Sequence, residues 1–356
     1  MPKLVFMKKW FTNYIVLLVL ICEGVYAQDP QFSQYYASPI YHNPAFAGGA
    51  HAPRLIANYR NQWSSLGSNF VTSTFSVDNY FERLNSGVAL LILSDSQGAG
   101  RLKTTEISGQ YAYQIRLNDK NYLRLGTQAT YSNRGIDNST LTFGDQYDPN
   151  GRGLINGTST DPFAGLNGVK AVKFADFSTG ALFYNQKAWA GLAVNHLTNP
   201  NVSVATTASA ESRLYTKWTV SGGFNIPLAN LYSNSANMER EFTLSPTFLL
   251  KKQGGASQLD VGLYLTYTPL TLGVWYRGIP IKRAGTTSVN HDAVILLAGY
   301  RLEKLSIGYS YDLTISKLGP STGGTHEISI AYLLNPIETD RPSRRYNKKA
   351  LSCPKF

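Results

Sequence analysis

The five histidines are the natural place to look for metal or acid–base chemistry, and their spacing supplies neither. His42, His51, His196, His291 and His326 are scattered, none at ligand spacing from another metal-binding residue type. Gly308-Tyr309-Ser310-Tyr311-Asp312 has the outline of a nucleophile elbow but lacks its second glycine and lies within an alternating strand pattern. The run from Asp145 through Asp148 to Gly151 gathers oxygens without the spacing or terminal glutamate of an EF-hand, and its Asp, Asn and Gly read better as turn formers. No catalytic residue, cofactor or metal is expected, so the chain reads as a non-enzyme. One charged set stands out: Arg60, Glu106, Arg116, Arg124, Asp260 and Asp312 all fall on the polar parity of apolar–polar strands. Such a set either tunes an ion path or pairs across a filled interior.

The elements that would position these residues are strands. In Thr105 to Arg116, Ile107, Tyr111, Tyr113 and Ile115 share one parity while Glu106, Ser108, Gln110 and Gln114 share the other. Successive side chains of a strand point to opposite faces, so the split describes two environments, lipid and water. Gln258 to Tyr267, Leu305 to Ile315 and His326 to Leu334 repeat it. Fourteen such segments, from Arg54–Trp63 to His326–Leu334, predict an all-β fold: a transmembrane antiparallel β-barrel of about 14 strands.

Export agrees with that destination. Residues 1–27 carry Lys3, Lys8 and Lys9, an apolar run and then Val25-Tyr26-Ala27, which reads as a removable secretory peptide. Cys22 does not make a lipoprotein signal, because bulky Ile21 stands where a small residue is needed. With residues 1–27 gone the formal net charge falls from +11 to +9 and Cys353 is the remaining cysteine, leaving no intramolecular disulfide. Charged residues are only 15% of the chain, and 23 tyrosines against 5 tryptophans suit a water–lipid boundary.

Connection lengths orient the strands. Asn118-Asp119-Lys120, Asn185-Gln186-Lys187, Thr268-Pro269 and Glu303-Lys304 are tight turns, whereas residues 134–173, 198–215, 278–291 and 316–325 are long connections on the opposite side. Short periplasmic turns and long extracellular loops are the bacterial outer-membrane arrangement, and an even strand count then places both termini in the periplasm. The link Pro227 to Glu241 is long on the wrong side, which implies either a misplaced strand or a periplasmic element. The expected organisation is a signal peptide (1–27), an N-terminal periplasmic or plug segment (28–53), the barrel (54–335) and a basic periplasmic tail (336–356). That tail holds Arg341, Arg344, Arg345, Lys348, Lys349 and Lys355.

Asp29-Pro30-Gln31-Phe32-Ser33-Gln34-Tyr35, then Asn43-Pro44-Ala45, Tyr59-Arg60-Asn61-Gln62-Trp63, Asp145 to Asp148, His196-Leu197-Thr198-Asn199-Pro200, Tyr311-Asp312 and His326-Glu327 occur in that order along the chain. Together these stations resemble the PorP/SprF family of type IX secretion outer-membrane proteins. The resemblance implies a barrel that assists export or surface attachment of a large secreted protein with a C-terminal sorting domain, such as an adhesin. Its implied partners are that cargo, other type IX periplasmic and outer-membrane components and outer-membrane lipid, with no nucleic acid. Of these, Asp29 to Tyr35, Asn43 to Ala45, Tyr59, Arg60, Gln62, Trp63, Asp145, Asp148, His196, Tyr311 and Asp312 are candidate partner contacts, Asp29 to Gly48 being expected on the periplasmic face or as a seal in the barrel mouth. About 14 strands enclose a lumen too narrow for a folded secreted protein, so the expected role is partner or anchor rather than conduit. The rival expectation is a general porin or a hydrophobic-solute transporter.

Overall fold

The structure is a computed structural model, and it describes residues 29–67, 70–98, 102–136, 142–147, 159, 170–204, 212–231, 240–279 and 290–335. The expected signal peptide, the basic tail from Pro336, and Asp148 with Pro149 lie outside the described residues.

The wall consists of β1 (Arg54–Gln62), β2 (Phe70–Phe81), β3 (Ser86–Gln97), β4 (Leu102–Arg116), β5 (Tyr122–Ile136), β6 (Lys170–Tyr184), β7 (Ala188–Asn195), β8 (Lys217–Phe224), β9 (Ile226–Leu231), β10 (Arg240–Gln253), β11 (Ala256–Tyr267), β12 (Leu270–Ile279), β13 (Asn290–Arg301), β14 (Leu305–Thr314) and β15 (Thr325–Leu333). Every pairing is antiparallel. Because β1 pairs with both β2 and β15, and β10 with both β8 and β11, the sheet closes on itself. β8 and β9 both pair with β10 and are separated only by Asn225, so they form one interrupted strand and the barrel has 14. This explains the anomalous link: the chain from Ile226 continues as strand, with a register shift beside Pro227 absorbing the residue that cannot donate to the ladder.

Parity becomes two faces. Ile107, Tyr111, Tyr113, Val261, Leu263, Ile307, Tyr309, Ile328 and Ile330 stand exposed on the outer surface, while Ser108, Gln110, Asp260, Ser310, Asp312, Glu327 and Ser329 are buried inside. An apolar exterior around a polar interior is the membrane-barrel distribution. Tight turns are closed by asparagine side chains. Asn118 Oδ1 accepts the Lys120 and Asn121 amides at 3.0 and 2.9 Å, and Asn185 Oδ1 accepts those of Lys187 and Ala188 at 2.8 Å each.

Within the barrel runs the segment before β1, folded as two short 3-10 turns flanking α1 (Pro39–His42). Phe32 to Gly49 is buried almost throughout. Sequence reasoning left two places for Asp29 to Gly48, the periplasmic face or a seal packing the barrel mouth; the structure has these residues inside the lumen, threaded along its length. Asp29 meets Lys217 and Gln253 at the long-loop end of β8 and β10, whereas Gly48 donates to Asp78 at 2.9 Å near the tight-turn end of β2. The cause is apolar content: Tyr35, Tyr36 and Phe46 pack on the inward aromatics Trp189, Tyr264 and Trp275, with Tyr35 stacked on Trp189 at 5.7 Å. Asn43 to Ala47 lies on a belt of small residues that crosses five strands at one level, Gly87, Ala112, Gly126, Gly180 and Ala193.

Candidate functional site: an ionic clasp and a rim latch on the luminal segment

Two polar centres hold the luminal segment to the wall. The deeper one is built from Ser33, Arg60 on β1, Arg277 on β12, Asp312 on β14 and Glu327 on β15. Asp312 Oδ2 accepts from Ser33 Oγ at 2.6 Å and from Arg60 and Arg277 at 3.0 Å each. Both guanidiniums also donate to Ser33 Oγ, at 2.6 and 3.0 Å. Arg60 reaches the Glu327 carboxylate at 3.1 Å, and Arg277 reaches Asp260 at 3.4 Å. Glu327 accepts the backbone amides of Ser33 and Gln34 at 2.7 and 3.0 Å, and Gln34 Nε2 donates back to the Glu327 carbonyl at 2.8 Å. The charged groups thus exchange strong hydrogen bonds with one another and with a single turn of the luminal segment, which we call the clasp.

The second centre, the latch, sits at the long-loop rim. Asp29 accepts from Lys217 and from His196 Nε2, the latter at 2.8 Å, while His196 Nδ1 meets Asp176 at 2.6 Å. His196 follows β7 in a left-handed conformation, φ 59°, which turns its ring toward the lumen. Burial works against its protonation, but the Asp29 charge and hydrogen bonds to Asp176 and Asp29 prevail, pushing it from 6.5 up to about 9. Burial likewise opposes ionisation of Asp29, yet His196 and Lys217 hold its carboxyl well below the usual carboxylate range. The raised histidine contributes stability that is complete below pH 6.5 and lost as pH rises through about 9. A fluorophore on a cysteine at position 30, in a Cys353→Ser background, is therefore expected to hold its emission through neutrality and shift near that upper pH, with the transition abolished by His196→Gln. A signal that stays flat through alkaline pH in the unsubstituted latch would contradict this.

The residues singled out from sequence divide three ways. Asp29, Ser33, Gln34, Arg60, His196 and Asp312 enter the clasp or latch. Pro30, Gln31, Phe32, Tyr35, Asn43, Pro44 and Ala45 form the body of the luminal segment: Tyr35 donates to Ser221 at 3.0 Å, and Asn43 donates to the Ala181 and Leu192 carbonyls at 3.1 and 3.2 Å. Gln62 borders the clasp, its side-chain oxygen accepting from Arg60 at 3.5 Å. The rest lie apart: Tyr59 faces outward; Trp63 and Tyr311 stand toward the long-loop end, where the Trp63 amide donates to the Gly324 carbonyl; Asp145 accepts from Ser159 at 2.7 Å in a loop. Arg277 and Glu327 of the clasp and Asp176 and Lys217 of the latch were missed. Inward parity marks Arg277, but only the closed barrel shows that it shares a carboxylate with Arg60.

Residues 24–332 match the family described as type IX secretion system membrane protein PorP/SprF. The chain belongs to the PorP/SprF family. No curated protein matches it. Among solved structures this PorP/SprF barrel is similar to the outer membrane protein Omp33 of Acinetobacter baumannii, at 10% identity over 81% of this chain and 100% of that one, TM-score 0.38. It is also similar to a FadL homologue of Pseudomonas aeruginosa, at 15% identity over 84% and 94%, TM-score 0.41. A third is BamA from Haemophilus ducreyi lacking POTRA domains 1–3, at 9% identity over 80% and 70%, TM-score 0.38. The PorP/SprF chain is thus an outer-membrane barrel component of the type IX secretion system.

Proposed function

We propose that this barrel is a sealed accessory of type IX secretion, an anchor or docking partner for a sorting-domain cargo such as a surface adhesin, and neither an enzyme nor the conduit. The observation that carries this reading is the occupied lumen. A segment clasped by four charged wall residues and seated on aromatics leaves no passage for a folded protein, and a barrel of this size is narrow even when empty. The tight turns and the end of β15 face the periplasm, where other components of the machinery meet the barrel. The long loops face outward and hold the cargo.

A tag inserted within residues 280–289 allows detergent pull-down from native outer membranes. Recovery of a sorting-domain adhesin or other type IX components is the expected result. A clean preparation without such partners that conducts ions in planar bilayers would replace this reading with a porin.

A further inference from the structure

The three longest strands of the wall, β4, β5 and β6, stand side by side at 15 residues each. At their long-loop ends the outward positions change character within a single row. The row Ile107–Tyr131–Ala175 is apolar, and the next one outward is Thr105–Asn133–Lys173. One outward position further along β4 stands Lys103, and Lys103, Asn133 and Lys173 are all exposed. Among the described residues neither lysine makes a hydrogen bond or an ion pair. Nor does a carboxylate hold a described outward strand position at this end of β3 to β6, where Asp95, Glu106 and Asp176 all point inward. The tight-turn end differs: there Glu82 and Arg83, Asp119 and Lys120, and Glu303 and Lys304 are neighbours of opposite sign. A lysine ammonium is a strongly hydrated point charge that is costly in hydrocarbon, so two of them just beyond the apolar band mark headgroup depth. Their uniform sign calls for an anion in that layer.

We infer that the outer ends of β4, β5 and β6 form a binding site for a phosphorylated glycolipid of the outer leaflet, of the lipid A type. A phosphate lies over Asn133 between the Lys103 and Lys173 ammoniums, and the acyl chains run down the wall over Ile107, Tyr131 and Phe177, whose side chains are exposed on that face. The spacing fits. Lys173 lies directly across from Asn133 and Lys103 diagonally from it, and two strand spacings of ~4.8 Å with one two-residue step of ~6.8 Å put the lysine α-carbons about 12 Å apart. Two long flexible stems close that gap onto one phosphate, with the Asn133 amide and the Thr105 hydroxyl as neutral donors between them. The inference rests on the orientation proposed above, with the long loops outward. It concerns the lipid face of the wall, apart from the cargo and machinery contacts proposed for the loops and the periplasmic end.

The test is native mass spectrometry of the full detergent-released barrel titrated with diphosphoryl lipid A. A saturable adduct is expected, weakened about tenfold or more in Lys103→Gln/Lys173→Gln, because each lysine at an anionic surface contributes severalfold. Dephosphorylated lipid A should bind the parent about as weakly, and with it the double variant should lose nothing further. Lys252→Gln/Lys304→Gln removes the same charge from a lone outward lysine opposite Trp218 and from a tight turn, and should stay within about twofold of the parent. Heat-modifiable gel mobility checks that each variant is a folded barrel. Absence of a saturable adduct, equal losses in the two double variants, or equal affinity of the parent for phosphatidylglycerol would each overturn the inference. Antibody access on intact cells to the tag within residues 280–289 reads the orientation separately. A tag reached only after permeabilisation would overturn the orientation and the outer-leaflet assignment together, whereas failed lipid binding with an exposed tag would overturn the lipid site alone.

Discussion

Asp312→Ala is expected to lower the unfolding free energy of the detergent-solubilised barrel by about 3 kcal/mol, and to release the luminal segment before the wall unfolds. The Asp312 carboxylate is the one bonded to both guanidiniums of the clasp and to Ser33. Its removal leaves Arg60 facing Arg277 across Ser33, both with side chains no more than 3% exposed, with Glu327 and Asp260 as their separate remaining partners. Breaking a buried pair by deleting one partner costs more than the pair contributes, because the surviving charge stays desolvated. Urea unfolding followed by heat-modifiable mobility reads the wall. Protease sensitivity of residues 29–53 at low urea reads the segment. Tyr59→Phe, on the outward face, should stay within about 0.5 kcal/mol of the parent. If Asp312→Ala unfolds at the parent's urea midpoint with its N-terminal segment still protected, the clasp does not hold the segment.

What was legible beforehand was whatever depends on local period. Strand parity identifies the lipid face of β4, β11, β14 and β15, and turn composition separates the two ends of the barrel. The interior partnership is not local. Arg60 on β1 and Asp312 on β14 are separated by β15, and Arg277 lies two strands beyond Asp312, so their convergence depends on closure and on side chains reaching across the lumen. Asp29 to Gly48 carries no sustained period; its place inside the barrel follows from aromatics and glycines distributed over strands far away in sequence. The link Pro227 to Glu241 left a misplaced strand or a periplasmic element open, and the strand in fact passes Pro227 at a register shift that accommodates its missing ladder donor.

Gly126→Val is the change expected to unseat the luminal segment most directly. A β-carbon at Gly126 would sit 2.3 Å from the Ala45 nitrogen, 2.5 Å from the Pro44 carbonyl carbon and 2.6 Å from the Ala45 α-carbon. These are backbone atoms, and they have little room to move. Asn43 is tied to the wall carbonyls of β6 and β7, Gly48 to Asp78, and Arg124 to the Ala47 carbonyl. Overpacking a fixed contact costs roughly 1–3 kcal/mol, and here the wall is held by paired strands on both sides of Gly126 whereas the luminal segment is held at points. The cheaper response is for Asn43 to Ala47 to lift off the small-residue belt. Residues 29–53 should then become protease-sensitive in a barrel that still migrates as folded, and ion conductance should rise above that of the parent in planar bilayers. Gly109→Ala serves as the control, since a β-carbon there meets nothing within 4 Å. A Gly126→Val barrel as tight to ions and as protease-resistant as the parent would show that the segment yields to a bulkier wall without opening the lumen, and the proposed seal would lose its structural basis.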